Sequence, residues 1–206
     1  MTLAIIWFME LFPPHYSDWL ASPAPSFSRQ QKYWLYRPGA LTAGLRNVGN
    51  VQLQVVREQA QGLHPSEAWM LNRDSRSPVW IREIVMSING TNSVFARSFT
   101  PLAASHSLWQ GMRRLRTRPL ADMLYHDSQI TRSRFFSCRL NDQHPLYRSA
   151  RRLLGPQCPP AHYLLARCSV FWRHGQPLLV AECFLPDFWP LAAKSAHDQG
   201  LSLKEL

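Results

Sequence analysis

Two charged residues interrupt otherwise apolar segments of this 206-residue chain: Arg82 in Val79-Trp80-Ile81-Arg82-Glu83-Ile84-Val85-Met86, and Glu182 in Leu178-Leu179-Val180-Ala181-Glu182-Cys183-Phe184-Leu185. Both segments read as β-strands. Successive side chains on a strand point to opposite faces, so Arg82 diverges from Glu83 and Ala181 from Glu182, and one of each pair is expected to face inward. A buried unpaired charge is costly, so an inward Arg82 needs a carboxylate, supplied by the protein or by a ligand. A carboxylate in a desolvated pocket, in turn, is a group that accepts a proton or orients a hydroxyl. The pattern leaves three readings open: the two residues pair with each other, they lie on a solvent face, or they hold a ligand.

Other chemistry lacks its usual supports. The chain has no phosphate-binding GxxxxGK[ST] loop, no GxGxxG, no GxSxG nucleophile elbow and no HExxH zinc helix. Its eight histidines are dispersed, and residues such as His126 and His162 read as surface or hydrogen-bonded positions rather than ligands. Cys138, Cys158, Cys168 and Cys183 form no CxxC pair, which argues against a zinc ribbon or a thioredoxin-like centre and for reduced, partly buried thiols. No metal site is expected.

The formal charge of +10 comes mainly from arginine, since the lysines are Lys32, Lys194 and Lys204 only. Arginine's planar fork suits carboxylates and phosphates, which makes an anionic ligand plausible. Nucleic acid is not the expected partner: there is no helix-turn-helix signature, ribonucleoprotein motif or zinc-finger spacing, and the arginines do not gather in one tail. Leu3 to Phe12 is apolar, but it lacks a basic leader, carries Glu10, and runs into Pro13-Pro14. It falls short of the roughly 20 residues needed to span a bilayer. A cytoplasmic protein without a membrane segment is the expectation.

The elements that must position Arg82 and Glu182 can be read from periodicity. Residues 1–31 are Pro- and Ser-rich and read as an irregular lead-in, with a helical turn near Ser17 to Leu20. Residues 32–190 form the domain and 191–206 a polar tail. Leu41 to Leu45 suggests a brief helix closed near Gly49. Val51 to Val55 alternates like a half-buried strand, and Val56-Arg57-Glu58 breaks that alternation. Val79 to Met86 leads through Asn89-Gly90, the strongest short hairpin signal, to an antiparallel return over Val94 to Phe99. Ser105 to Leu115 reads as a helix with Leu108 and Met112 inward, Pro119 to Leu124 as a second helical piece, and Ile130 to Leu140 as one strand with Arg132 and Arg134 on one face. Asn141 to Pro160 is a Pro-rich excursion holding one basic helical turn. Tyr163 to Trp172 and Pro177 to Leu185 pair about a turn at His174-Gly175. The fold class is α+β: a single antiparallel β-sheet with flanking helices.

At these same residues the chain resembles the chorismate lyase family, in order, over roughly 34–186. The family's strand with the inward arginine matches Trp80-Ile81-Arg82-Glu83-Ile84. Its hairpin and return match Asn89-Gly90, Ala96-Arg97 and Thr100-Pro101, and its later segments match Arg118-Pro119-Leu120 and Thr131-Arg132. The most specific match is Gly175-Gln176-Pro177-Leu178-Leu179-Val180-Ala181-Glu182-Cys183-Phe184-Leu185-Pro186. Upstream, Trp34-Leu35, Gly39-Ala40-Leu41-Thr42 and Val56-Arg57-Glu58 fit the family's first helical flap and first strand. Three features depart from the pattern: the 141–160 excursion, the Pro-rich N-terminus, and Cys168 after Arg167 where the family commonly shows paired arginines.

The resemblance implies a cofactor-free enzyme that splits chorismate into 4-hydroxybenzoate and pyruvate, the first step toward ubiquinone; a monomer is expected separately, because no exposed apolar stripe argues for a partner. It implies that Arg82 holds the ring carboxylate and Glu182 meets the ring oxygen at the other end. The backbones of Leu41 and Leu120 would complete the hydrogen bonding, with Arg82 and Glu182 the catalytic pair. The Leu41 region, between Pro38-Gly39 and Gly44, would act as a helical flap over an internal pocket, with slow product release. The alternative from another class is a non-enzymatic domain that senses an aromatic carboxylate, on the related fold of certain transcription regulators.

Overall fold

The computed structural model describes residues 19–198. Seven strands form one sheet, every pairing antiparallel: β1 (Val51–Gly62), β2 (Pro78–Ile88), β3 (Thr91–Pro101), β4 (Ile130–Arg132), β5 (Phe136–Arg139), β6 (Leu165–Arg173) and β7 (Gln176–Phe184). The order across the sheet is β1-β2-β3-β7-β6-β4, with β5 pairing β6 beside β4. The helices are α1 (Arg29–Tyr36), α2 (Leu41–Val48), α3 (Pro65–Leu71), α4 (Leu102–Ser105), α5 (Ala121–Leu124), α6 (Pro145–Leu154) and α7 (Phe188–Asp198). The α+β class with a single antiparallel sheet is as expected.

The β2–β3 hairpin turns at Asn89-Gly90, whose φ values of 50° and 84° are both in the left-handed region that such two-residue turns require. β6 and β7 join in the same way at His174-Gly175, with φ of 46° and 75°. β1 alternates in burial as an edge strand should, and continues past Val55 through a bulge that shifts its register between Val55 and Arg57. That bulge is the physical content of the broken alternation, and it allows Glu58 to stand opposite Arg82.

The central strands show no alternation because the sheet is covered on both faces. One face, carrying Ile81, Val85, Phe95, Phe99, Leu179 and Cys183, packs against α3 and α6 in the larger core. The other face carries two smaller cores. Met86, Val94 and Phe184 meet α1, α2 and α7 at one end, with Trp34 and Phe188 in edge-to-face contact at 4.8 Å. Phe171 and Leu178 meet Trp109, Met112 and Leu120 at the other end. A helix-covered strand therefore has no solvent side, and both Arg82 and Glu83 are buried, at 1% and 3% exposed, although they point to opposite faces.

Other expectations also shift. The single helix read over Ser105 to Leu115 is instead α4 plus a 3₁₀ turn, Gln110–Arg114. Met112 is still fully buried, but Trp109, with its indole N–H donating to the Gln176 carbonyl, takes the place expected of Leu108. The strand read over Ile130 to Leu140 is broken at Ser133–Phe135, where the Ser133 backbone N–H and hydroxyl bond Val170 out of regular register. The 141–160 excursion holds a ten-residue helix, α6, which buries Leu146, Tyr147 and Ala150 against the sheet. The helical turn expected near Ser17 to Leu20 lies partly outside the described residues. Leu20 itself forms a bridge to Ser137, and helix α1 starts at Arg29, ahead of the boundary read at residue 32. Helix α7 begins at Phe188 and runs into the segment read as a polar tail, with Phe188 and Ala192 buried.

Among the described residues no helix is long and apolar enough to cross a membrane. None of the four cysteines is in a disulfide, and three of them, Cys138, Cys168 and Cys183, are buried. Burial pushes the Cys168 and Cys183 thiols well above their usual range, which suppresses the reactive thiolate. An aromatic disulfide reagent should therefore label one thiol, Cys158, in the native protein and all four after denaturation. Rapid native labelling of two or more would contradict this packing.

Candidate active site

Cross-strand register puts Arg82 and Glu182 on the same sheet face. Arg82 stands opposite Ser98, and Ser98 opposite Val180; Glu182 is two residues along β7 from Val180 and stands opposite Ala96. Two strand spacings and two residues of rise place their Cα atoms about 12 Å apart. The space between lies in the gap separating the two smaller cores. A cavity of about 50 Å³ occupies it, floored by Ile84, Ala96, Ser98, Val180 and Glu182 and roofed by Leu41, Thr42, Leu120 and Tyr125.

Two covers make the roof. The first is the α1–α2 pair, whose connection Arg37–Ala40 is a tight turn with Gly39 at φ 78°. Arg37 lies back over α2, where its guanidinium fills the space a Cβ on Gly44 would need, and it donates to the Ala40 carbonyl. The second is the stretch from Leu115 to Tyr125, which includes α5. Each cover presents the start of a helix that has no side-chain cap, at Ala40 and at Leu120. First-turn N–H groups have no intrahelical partner, so the N–H of Leu41, the first residue of α2, is a natural donor to a ligand, while Leu120 is the residue that caps α5.

The two sheet charges do not pair with each other. Arg82 Nε donates to Glu58 Oε1 at 3.0 Å, and its Nη2 donates to the carbonyls of Arg116 and Arg118. Burial pulls the Arg82 guanidinium below the usual arginine range, and the Glu58 carboxylate pulls it back. Glu182 accepts from Arg167 Nε at 2.6 Å, and Arg167 Nη1 donates to the Trp34 and Arg37 carbonyls at 3.2 and 3.3 Å. Each charge is thus tied to one cover: Arg82 holds the turn entering the second, and Glu182, through Arg167, holds the turn of the first.

Of the residues expected from sequence, the fold brings Leu41, Leu120 and Glu182 to the cavity wall. Arg82 lies one row further along the same face, beside Ser98, and is not part of the wall in this closed arrangement. Arg167 was not singled out by sequence reasoning. Its signal was available, since it interrupts Leu165-Ala166-Arg167-Cys168-Ser169-Val170 just as Glu182 interrupts its own strand, and β6 sets the two opposite each other.

A larger cavity, about 180 Å³, lies on the other face beneath α3 and α6. Its polar groups serve the fold. His64 and His144 cap the two helices, their Nδ1 atoms accepting from the Ser66 and Leu146 N–H groups. Glu67 is paired with Arg97 at 2.9 Å within a buried cluster that includes Glu83 and Arg57. Burial pushes the Glu67 carboxyl up and Arg97 pulls it down. Among the described residues no group of three or more His, Cys, Asp or Glu side chains is placed to hold a metal ion.

A protein with the curated name "Probable chorismate pyruvate-lyase" from Bordetella avium is 58% identical over 179 residues, covering 85% of this chain and 87% of the relative. One named "Probable chorismate pyruvate-lyase 1" from Pseudomonas entomophila is 39% identical over 173 residues, covering 84% and 91%. Solved structures overlap more loosely. The effector domain of PhnF from Mycobacterium smegmatis aligns with a TM-score of 0.49 at 15% identity over 72% of this chain and 90% of its own. A GntR-family transcriptional regulator from Bacillus cereus aligns at 0.47 and 10% identity, over 66% and 92%. A family model described as chorismate lyase matches residues 10–194, and with relatives this similar over most of their length the chain belongs to the chorismate lyase family.

Proposed function

We propose that this chain converts chorismate to 4-hydroxybenzoate and pyruvate in the space between Arg82 and Glu182. The observation that carries the reading is the placement of a buried cation, Arg82, and a half-buried carboxylate, Glu182, on one sheet face, under two covers, in a member of this family. An arginine at one pole and a carboxylate at the other orient a ring bearing an acid at one end and a hydroxyl para to it.

The closed cavity is far below the roughly 300 Å³ or more of a typical small-molecule site, so entry requires the covers to move. The bonds that close them are the ones a ligand competes for. Arg82 Nη1 takes part in none of the three bonds that hold the guanidinium, and it is the end open to the ring carboxylate. A bidentate contact also draws on Nη2, and so displaces the Arg116 or Arg118 carbonyl as the second cover repositions. The Leu41 and Leu120 N–H groups then complete the cradle.

The reaction is an elimination. The proton on the hydroxyl-bearing ring carbon leaves, the adjacent carbon–oxygen bond to the enolpyruvyl group breaks with its electron pair on oxygen, and the ring becomes aromatic. The enolpyruvate gains a proton at its methylene carbon to become pyruvate, so atoms balance without water, metal or redox partner. Glu182, at the hydroxyl end, receives the proton and Arg167 stabilises its carboxylate between steps. Closure over an apolar pocket makes exit of 4-hydroxybenzoate the slow step. The product has the chemistry expected of the ring precursor of ubiquinone.

The test is to incubate the purified protein with chorismate alone and follow both products by stopped flow. Equimolar 4-hydroxybenzoate and pyruvate should appear, with an initial burst of about one equivalent per protein where product exit limits turnover. No products despite tight 4-hydroxybenzoate binding would overturn the enzyme reading in favour of a sensor. Products without a burst would retain the reaction and remove slow release.

A further inference from the structure

We infer that Arg132 is the acceptor of the substrate's second carboxylate, the one on the enolpyruvyl group, and that it makes the site prefer the dicarboxylate substrate over its monocarboxylate product. The inference rests on the lyase reading and extends it to a residue that reading does not use.

Chorismate carries two carboxylates and 4-hydroxybenzoate one. If Arg82 takes the ring carboxylate, the second enters the same desolvated space and needs its own cation. The enolpyruvyl ether sits on the ring carbon next to the one bearing the hydroxyl, so its carboxylate falls at the Glu182 end. Three arginines surround that end. Arg167 is committed to Glu182 and to the Trp34 and Arg37 carbonyls. Arg37 is seated over Gly44 and donates to the Ala40 carbonyl. Arg132 differs: its Nη1 is buried and has no hydrogen-bond partner. A buried guanidinium nitrogen left unpaired costs free energy in the empty protein, and a ligand carboxylate would recover it.

Placement supports the role. Arg132 stands opposite Phe171 on the sheet face of the cavity, and Phe171 is part of the cavity wall. The Phe135 ring, also in the wall, lies between two guanidiniums, with Arg132 at 4.0 Å and Arg167 at 4.3 Å from its centroid. Arg167 is thus part of the cavity wall, and Arg132 stands behind it, in contact with the Phe135 ring that also lines the wall. Glu182 neutralises Arg167, and among the described residues neither Arg37 nor Arg132 is paired with a carboxylate, so this end keeps two uncompensated positive charges, which suits a second anion. When the carbon–oxygen bond breaks, the departing enolpyruvate carries a further negative charge, and a cation already on its carboxylate stabilises that charge where it develops. Arg132 then touches substrate and departing group but has no contact to make with 4-hydroxybenzoate.

The test compares wild type, Arg132→Ala and Arg132→Lys in two measurements: kcat/KM for chorismate and the Kd of 4-hydroxybenzoate. Arg132→Ala should lower kcat/KM about 100-fold while changing the product Kd less than about threefold, and Arg132→Lys should recover part of the loss. Retained product affinity also shows that the variant is folded; if the alanine variant fails to fold, the lysine variant decides the matter, by the same split at smaller size. An unchanged kcat/KM, or equal losses for both ligands, overturns the inference. A wild-type protein that forms no products from chorismate defeats the lyase reading instead, so the two failures are distinguishable.

Discussion

Replacement of Glu182 by glutamine is expected to lower turnover of chorismate by about 10²- to 10⁴-fold, the usual contribution of a positioned acid–base group. The affinity for 4-hydroxybenzoate should stay within a few-fold of wild type. The substitution keeps shape and a hydrogen-bond acceptor for Arg167 Nε but removes the base. It also leaves Arg167, 1% exposed, without its counter-charge, while the Trp34 and Arg37 carbonyls remain. Loss of a buried counter-ion can cost several kcal/mol, so product binding must be measured on the same sample as turnover. If turnover survives nearly intact, Glu182 orients the hydroxyl and the proton goes elsewhere. If product binding collapses with turnover, the principal task of Glu182 is to hold Arg167 and, through it, the first cover.

Arg82→Ala tests the other pole. Truncating one partner of a buried, hydrogen-bonded charge pair costs about 2–5 kcal/mol, so 4-hydroxybenzoate affinity should fall by at least about 30-fold and chorismate turnover with it. The variant also releases the Arg116 and Arg118 carbonyls and leaves Glu58 unpaired, although the Glu58 side chain is 27% exposed and water can solvate it. Calorimetric titration with 4-hydroxybenzoate against benzoate and phenol separates the two roles. A carboxylate anchor gives loss of affinity for both acids and none for phenol. Equal losses for all three mean that Arg82 acts only as the fastening of the second cover.

Legibility from sequence followed the range of the interactions involved. The β2–β3 hairpin was readable because its alternation and Asn89-Gly90 turn are set by neighbours in the chain. So were the two strands carrying Arg82 and Glu182, and so was the short helix starting at Leu41. The Ser105 to Leu115 helix was misread because periodic Leu108, Met112 and Leu115 fit a helical stripe, whereas Trp109, anchored to the Gln176 carbonyl 67 residues away, draws the chain into a tighter turn. The break at Ser133–Phe135 has the same kind of cause, a side chain bonded to a strand 37 residues on. α6 hid in a Pro-rich stretch because Pro145 and Pro156 flank it, and proline in a first turn marks a helix start as readily as a loop.

By itself, the sequence determined which charged residues lie in apolar strands, which turns reverse the chain, and which family the pattern resembles. These depend on side-chain type and local spacing. The tertiary structure alone decided what those charges touch. Arg82 meets Glu58, 24 residues away, because a bulge in β1 shifts the register. Glu182 meets Arg167 because β6 and β7 are paired, and Arg167 meets Trp34, 133 residues away, because α1 folds across that sheet face. Burial of both faces of β2, the fastening of each cover to a sheet charge, and the unpartnered nitrogen of Arg132 arise only when distant segments exclude water from the same space. That exclusion puts ordinary arginines in surroundings where their charges act strongly on whatever lies beside them.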